Sequence, residues 1–106
     1  MEKDKSQMLF MNLIMMLHAL AWQQMGKMKN PLTDMVEVDL EGARNFIDSL
    51  EVLQQKSAGN LSPEEDRLLN EILRELRLNY IDEVHKHEKE PHAGNISEQE
   101  SGNLSQ

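Results

Sequence analysis

Apolar positions fall into three blocks along the chain, and two of the blocks have the spacing of an amphipathic helix. Residues 40–57 carry a stripe of Leu40, Ala43, Phe46, Ile47, Leu50 and Leu53, which return to one helical face at three- and four-residue steps. Residues 63–86 carry a second stripe of Leu68, Leu69, Ile72, Leu73, Leu76, Tyr80 and Val84. Tyr80 is expected to bury its ring and keep its hydroxyl near an edge where it finds a partner. Leu78 and Ile81 fall off that stripe, with Arg74 and Arg77 nearby.

The first block behaves differently. From Met8 to Trp22 the run is almost unbroken apolar, interrupted only by Asn12 and His18. At ~100° per residue, Leu9, Phe10, Leu13, Ile14, Leu17, Leu20 and Ala21 occupy one half of a helix. Met8, Met11, Met15, His18, Ala19 and Trp22 occupy the other, with Met16 on the border. A helix that is apolar all round requires burial from more than one side. The leucine half is expected to form the core. The methionine half is expected to be a soft second surface, since Met adapts to irregular contacts.

The stretch Ala58 to Glu65 ends one helix and starts the next. Gly59 takes the left-handed conformation without a Cβ penalty. Ser62 is an N-cap, Pro63 opens the helix, and Glu65 completes a capping box. Glu64 and Glu65 complement the positive end of the helix dipole. The expected product is an antiparallel helical hairpin. Asp39 is the N-cap expected for its first helix. Gly26 ends helix one, and Asn30-Pro31 marks a turn in the connection that follows. Met35, Val36 and Val38 read as a short extended piece over the helices, with no second strand to pair with it.

The fold class expected is therefore all-α: a hydrophobic N-terminal helix packed across an antiparallel hairpin. The expected bounds are a polar lead over 1–7, helices at about 8–25, 40–57 and 63–86, and a disordered tail over 87–106. Pro91 ends any helix, and the tail lacks the apolar content to fold alone. Within it Gly59-Asn60-Leu61-Ser62 is echoed by Gly94-Asn95-Ile96-Ser97 and Gly102-Asn103-Leu104-Ser105.

Charge and composition remove several classes. The 106 residues sum to −8, and the charge is uneven. Residues 1–38 hold four acids and four bases, whereas residues 39–90 hold thirteen acids against seven bases. No basic patch grips phosphates, so no nucleic acid is expected as a partner. The absence of Cys removes disulfides and thiolate metal sites and suits a reducing compartment. Ala19-Leu20-Ala21 has the form of a signal-peptidase site, but Glu2 and Asp4 stand where a signal needs positive charge. The apolar run is too short, and too interrupted, for a membrane span.

Candidate chemistry is sparse. His85, His87 and His92 lie near Glu88 and Glu90; His85 and Glu88 share helical i, i+3 spacing, but the rest of the group lies where the expected helix dissolves, so a four-ligand metal site is not expected. Asp48 projects away from the core beside Val52 and reads as a solvated or interface residue that can pair with Arg44. The chain has no phosphate loop, no HExxH and no nucleophile with a positioned base. Neither an enzyme nor a cofactor is expected. Asn60, Asn95 and Asn103 formally match the glycosylation pattern, which occurs often by chance.

The hairpin also resembles a known family. Leu40, Ala43, Ile47, Asp48, Leu50, Leu53 and Lys56 lead to Gly59-Asn60-Leu61, followed by Glu65, Leu68, Leu69, Leu73, Leu76-Arg77 and Tyr80. This frame, with a hydrophobic first helix ending in Met25-Gly26, resembles the bacterial proteins known as domain of unknown function 1844. The likeness covers most of residues 8–81, with Ser57 where the family usually has Thr. It implies a cytoplasmic bacterial protein and carries over no catalytic or binding residue.

The reading is a small interaction or scaffold protein acting through self-association, with a homodimer as the default closed form. The expected interaction surface is Met8, Met11, Met15, His18 and Trp22, together with Leu78 and Ile81. The competing class is a membrane-surface or hydrophobic-client module using the same helix. A separate protein partner for this surface belongs to the same set of expectations.

Overall fold

The computed structural model describes residues 1–89 of the chain. They form three helices: α1 (Lys3–Gln24), α2 (Leu40–Lys56) and α3 (Pro63–Lys89). The all-α class is as expected. Two ends differ. α1 starts at Lys3 instead of Met8, because the residues before Met8 are mostly good helix formers, with Asp4 at the positive end of the dipole. α3 runs on to Lys89, where Lys86 reaches back to Glu83 at i, i+3. The expected tail lies, from residue 90 onward, outside the described residues.

The turn between α2 and α3 forms as its residues dictate. Gly59 sits at φ 86°, the left-handed region. The Ser62 hydroxyl accepts from the Glu65 N–H at 3.1 Å, and the Glu65 carboxylate accepts from the Ser62 N–H at 2.8 Å. This reciprocal box satisfies two backbone donors that a helix start leaves orphaned. Asp39 caps α2 by accepting from the Gly42 N–H at 3.0 Å. Gly26, at φ 84°, closes α1, and a Cβ there would lie 2.7 Å from a methyl of Val38.

The α1–α2 connection departs from expectation. It folds back on itself through one bridge, in which the Asn30 N–H donates to the Met35 carbonyl at 2.8 Å. The Asn30 side chain accepts from the Leu32 N–H at 2.8 Å, closing a turn around Pro31. Met35, Val36 and Val38 are about half-exposed, with Val38 and Val36 lying against Gly26 at the end of α1.

α1 does not lie across the hairpin but along it. Three contacts join α1 to the α3 side in the same order: Gln7 to Ser62, His18 to Glu75, and Lys27 to Glu83. The steps along the two segments nearly match, so α1 and α3 run parallel, with α2 antiparallel to both. The α2–α3 side is tied by Gln54 to Asn70 at 2.7 Å and by Arg77 to Glu51 at 3.1 Å. The core inside this up-down-up bundle takes Ile14, Ala21 and Met25 from α1 and Ala43, Ile47 and Leu50 from α2. α3 contributes Leu69, Ile72, Leu73 and Leu76. Phe10, Leu17, Trp22 and Tyr80 pack around them.

Candidate interaction surface

α1 turns a different face inward from the one its sequence suggests. Ile14 and Ala21 are buried as expected, but Leu9 and Leu13, placed in the core by periodicity, are exposed. Met11, His18 and Trp22, assigned to the open surface, are half-buried. The helix is rotated by about a fifth of a turn from the expected setting. The physical reason lies in its polar positions. With apolar residues at nearly every angle, burial alone barely distinguishes one rotation from another. The setting found directs Gln7 toward Ser62 at the start of α3, His18 toward Glu75, and Lys27, just beyond the helix, toward Glu83.

His18 and Trp22 therefore belong to a clasp between α1 and α3. Their rings stack with centroids 5.5 Å apart and planes 20° from parallel, and His18 Nε2 lies 2.9 Å from Glu75 Oε1. Lys27 Nζ stands 5.9 Å from the Trp22 ring centroid and 2.6 Å from Glu83 Oε2. Glu83 is buried, and Lys86 at 3.1 Å and His87 at 3.8 Å also approach its carboxylate. The hydrogen bond from Lys27 holds the Glu83 carboxyl below its ordinary range against the opposing effect of burial, with Lys86 adding to it. A carboxylate so held is a poor proton acceptor, and this cluster is built to fasten helices.

Sequence reasoning missed Glu83. It follows Tyr80 by three residues and thus falls on the core register of α3, where a charge is the signal of a buried pair. Glu65 falls on the same register at the other end of the stripe and is buried by the capping box.

The remaining side of α1 is open. Met8, Leu9, Leu13, Met15 and Met16 are 40–54% exposed and form a continuous apolar strip, with Asn12 within it and Ala19 and Leu20 extending it. Of the residues expected on the interaction surface, Met8 and Met15 lie on this strip. Leu78 and Ile81 are exposed, as expected, but on the outer side of α3. The polar contacts of α3 toward α1 and α2 leave from other angles of the helix, so these two are not joined to the α1 strip. Among the described residues, no group of three or more His, Asp or Glu side chains is placed to hold a metal ion. Arg44 and Asp48 lie 3.9 Å apart on the solvated side of α2.

Among the described residues these features define a small three-helix bundle with an exposed apolar strip on α1. The chain belongs to the family described as Domain of unknown function (DUF1844), which matches residues 7–82. That span runs from Gln7, at the first α1–α3 contact, to the residue before Glu83. Neither the curated proteins nor the solved structures give a match. Among the described residues no helix is long and apolar enough to cross a membrane.

Proposed function

We propose that this chain is a small bacterial, cytoplasmic interaction or scaffold protein that acts through self-association, and that it is a binding module instead of an enzyme. One observation carries the reading: the strip of Met8, Leu9, Leu13, Met15 and Met16 on α1 is exposed in the single chain. Contiguous apolar surface of this kind marks a contact site. Full burial of a Leu or Met side chain is worth ~1.5–3 kcal/mol, so each of these, about half-exposed, gains roughly 1 kcal/mol when covered. Five such side chains on each of two copies yield roughly 10 kcal/mol, against association costs of ~4–15 kcal/mol. The balance describes a reversible dimer with Kd in the tens of micromolar or weaker.

Light scattering over a dilution series tests the proposal. The expected result is a dimer that dissociates on dilution, and a monomer at all concentrations for the double variant Met15→Glu/Met16→Glu with helicity retained. Both side chains are exposed, so the variant is expected to fold. A native chain that is monomeric throughout, or a variant that associates as the native chain does, would overturn it. The basic polar face that favours a membrane surface is missing here: between Lys5 and Gln23 the only fixed charge is Lys5 itself.

A further inference from the structure

The open strip has a period that fits a second copy of itself in one direction. Lys5, Leu9, Asn12, Met16, Ala19 and Gln23 follow one another at alternating steps of four and three residues along the middle of the exposed side. That is the spacing of a two-helix seam. Met8 and Met15 flank it on one side, and Leu13 and Leu20 on the other.

From this we infer that α1 pairs with α1 of a second copy in antiparallel orientation, about a two-fold axis between Asn12 and Met16. This pairing rests on the self-association proposed above and specifies its geometry. In that register Leu9 meets Ala19 of the second copy, a large residue against a small one. Lys5 meets Gln23, and Asn12 meets Met16. The flanks sort by type, with Met8 and Met15 of both copies along one edge, where Met15 nears Met15, and Leu13 and Leu20 of both copies along the other, where Leu13 nears Leu13. A parallel pairing would set Lys5 against Lys5 and leave Ala19 facing Ala19 across a gap. Shifting the antiparallel register by a heptad in either direction removes the Leu9–Ala19 layer.

Charge selects this face as the place where a second copy docks. Each chain carries −8, and the excess lies in residues 39–90. The seam is nearly charge-free, so two like-charged chains approach along it at the least electrostatic cost. Its shape agrees. The 22 residues of α1 make a ridge roughly 33 Å long and ~10 Å wide. That is less than half of the ~800 Å² per partner of a standard interface. Another helix of the same length covers such a ridge.

The native chain has no Cys, so introduced thiols report contacts without background. Lys5→Cys and Gln23→Cys chains are mixed at a concentration where scattering reads dimer, then oxidised, with Glu41→Cys on the acidic surface as the collision control. The mixed disulfide is expected at least about tenfold above that control, because pairing raises the local thiol concentration. Lys5→Cys alone is expected to stay at the control level. Efficient cross-linking of Lys5→Cys with itself shows a parallel seam and overturns the inference, as does a mixed pair at control level in a protein that scatters as a dimer. A chain that scatters as a monomer at every concentration instead defeats the self-association reading and leaves the strip to a different partner.

Discussion

Lys27 places its ammonium 2.6 Å from the carboxylate of Glu83, joining the loop that follows α1 to the last third of α3. Glu83 is buried and Lys27 largely so, and Trp22 lies beside the ammonium. Losing one partner would leave a buried charge short of its main contact. Lys27→Met is therefore expected to lower stability by roughly 1.5–3 kcal/mol, the range for hydrogen bonds to charged groups, with Lys86 moderating the loss. Urea unfolding monitored by circular dichroism measures it.

The same pair sets an acid limit. The folded-state pKa of Glu83 is depressed below 4.5, chiefly by Lys27. The unfolded chain therefore takes up that proton first as pH falls. The stabilisation is complete above the ordinary carboxylate range and is lost as pH drops from about 4.5 through the folded value. Glu83→Gln is expected to flatten that part of the stability–pH curve. A curve of unchanged slope would show that other carboxylates control it.

The two left-handed glycines are expected to rank by what surrounds them. Gly59→Ala adds a Cβ with nothing within 4 Å, so its cost is the backbone strain alone, roughly 1–2 kcal/mol. Gly26→Ala carries the same strain and also sets its Cβ 2.7 Å from Val38, so its midpoint should fall further. Thermal melts of the two variants give the order directly.

Ser62→Ala removes both an N-cap acceptor and the hydroxyl that donates to Gln7. A loss of about 0.5–2 kcal/mol is expected from the cap. Because Gln7 belongs to α1, hydrogen exchange should also quicken in the first turns of that helix. Protection changed only in α3 would assign the Gln7 contact no weight.

Neighbouring positions on α3 separate core from surface. Leu76 is fully buried and Leu78 is 63% exposed. Leu76→Ala should cost about 2–5 kcal/mol and Leu78→Ala less than about 0.5 kcal/mol. A large loss at Leu78 would mean that a partner covers it.

The parts of this fold legible in the sequence are those fixed by local chemistry. Ser62, Pro63 and Glu65 announce their turn because each serves the same helix start, and Asp39 does so for α2. The stripes of α2 and α3 are legible because polar residues bracket them. The Gly59-Asn60-Leu61 frame likewise pointed to the family that matches residues 7–82. The rotation of α1 was not legible, because a helix apolar on every side offers no contrast between inside and outside. Its setting depends on Gln7, His18 and Lys27 finding partners more than fifty residues away. Glu83 was hidden for the opposite reason: its position belongs to the core, its side chain does not, and Lys27, aided by Lys86, reconciles the two. Of the residues expected on the interaction surface, α1 therefore leaves Met8 and Met15 exposed and half-buries Met11, His18 and Trp22.

The parallel alignment of α1 with α3 has a consequence for how the chain is made. His18 and its partner Glu75 are 57 positions apart. A ribosome adding ~5–20 residues per second needs roughly 3–11 s to travel between them. The two positions leave the ribosome the same interval apart, and for that time the most apolar segment of the protein has no α3 to lie against. The nascent chain thus presents a sticky helix before its acidic cover, and part of that helix is still exposed in the finished bundle.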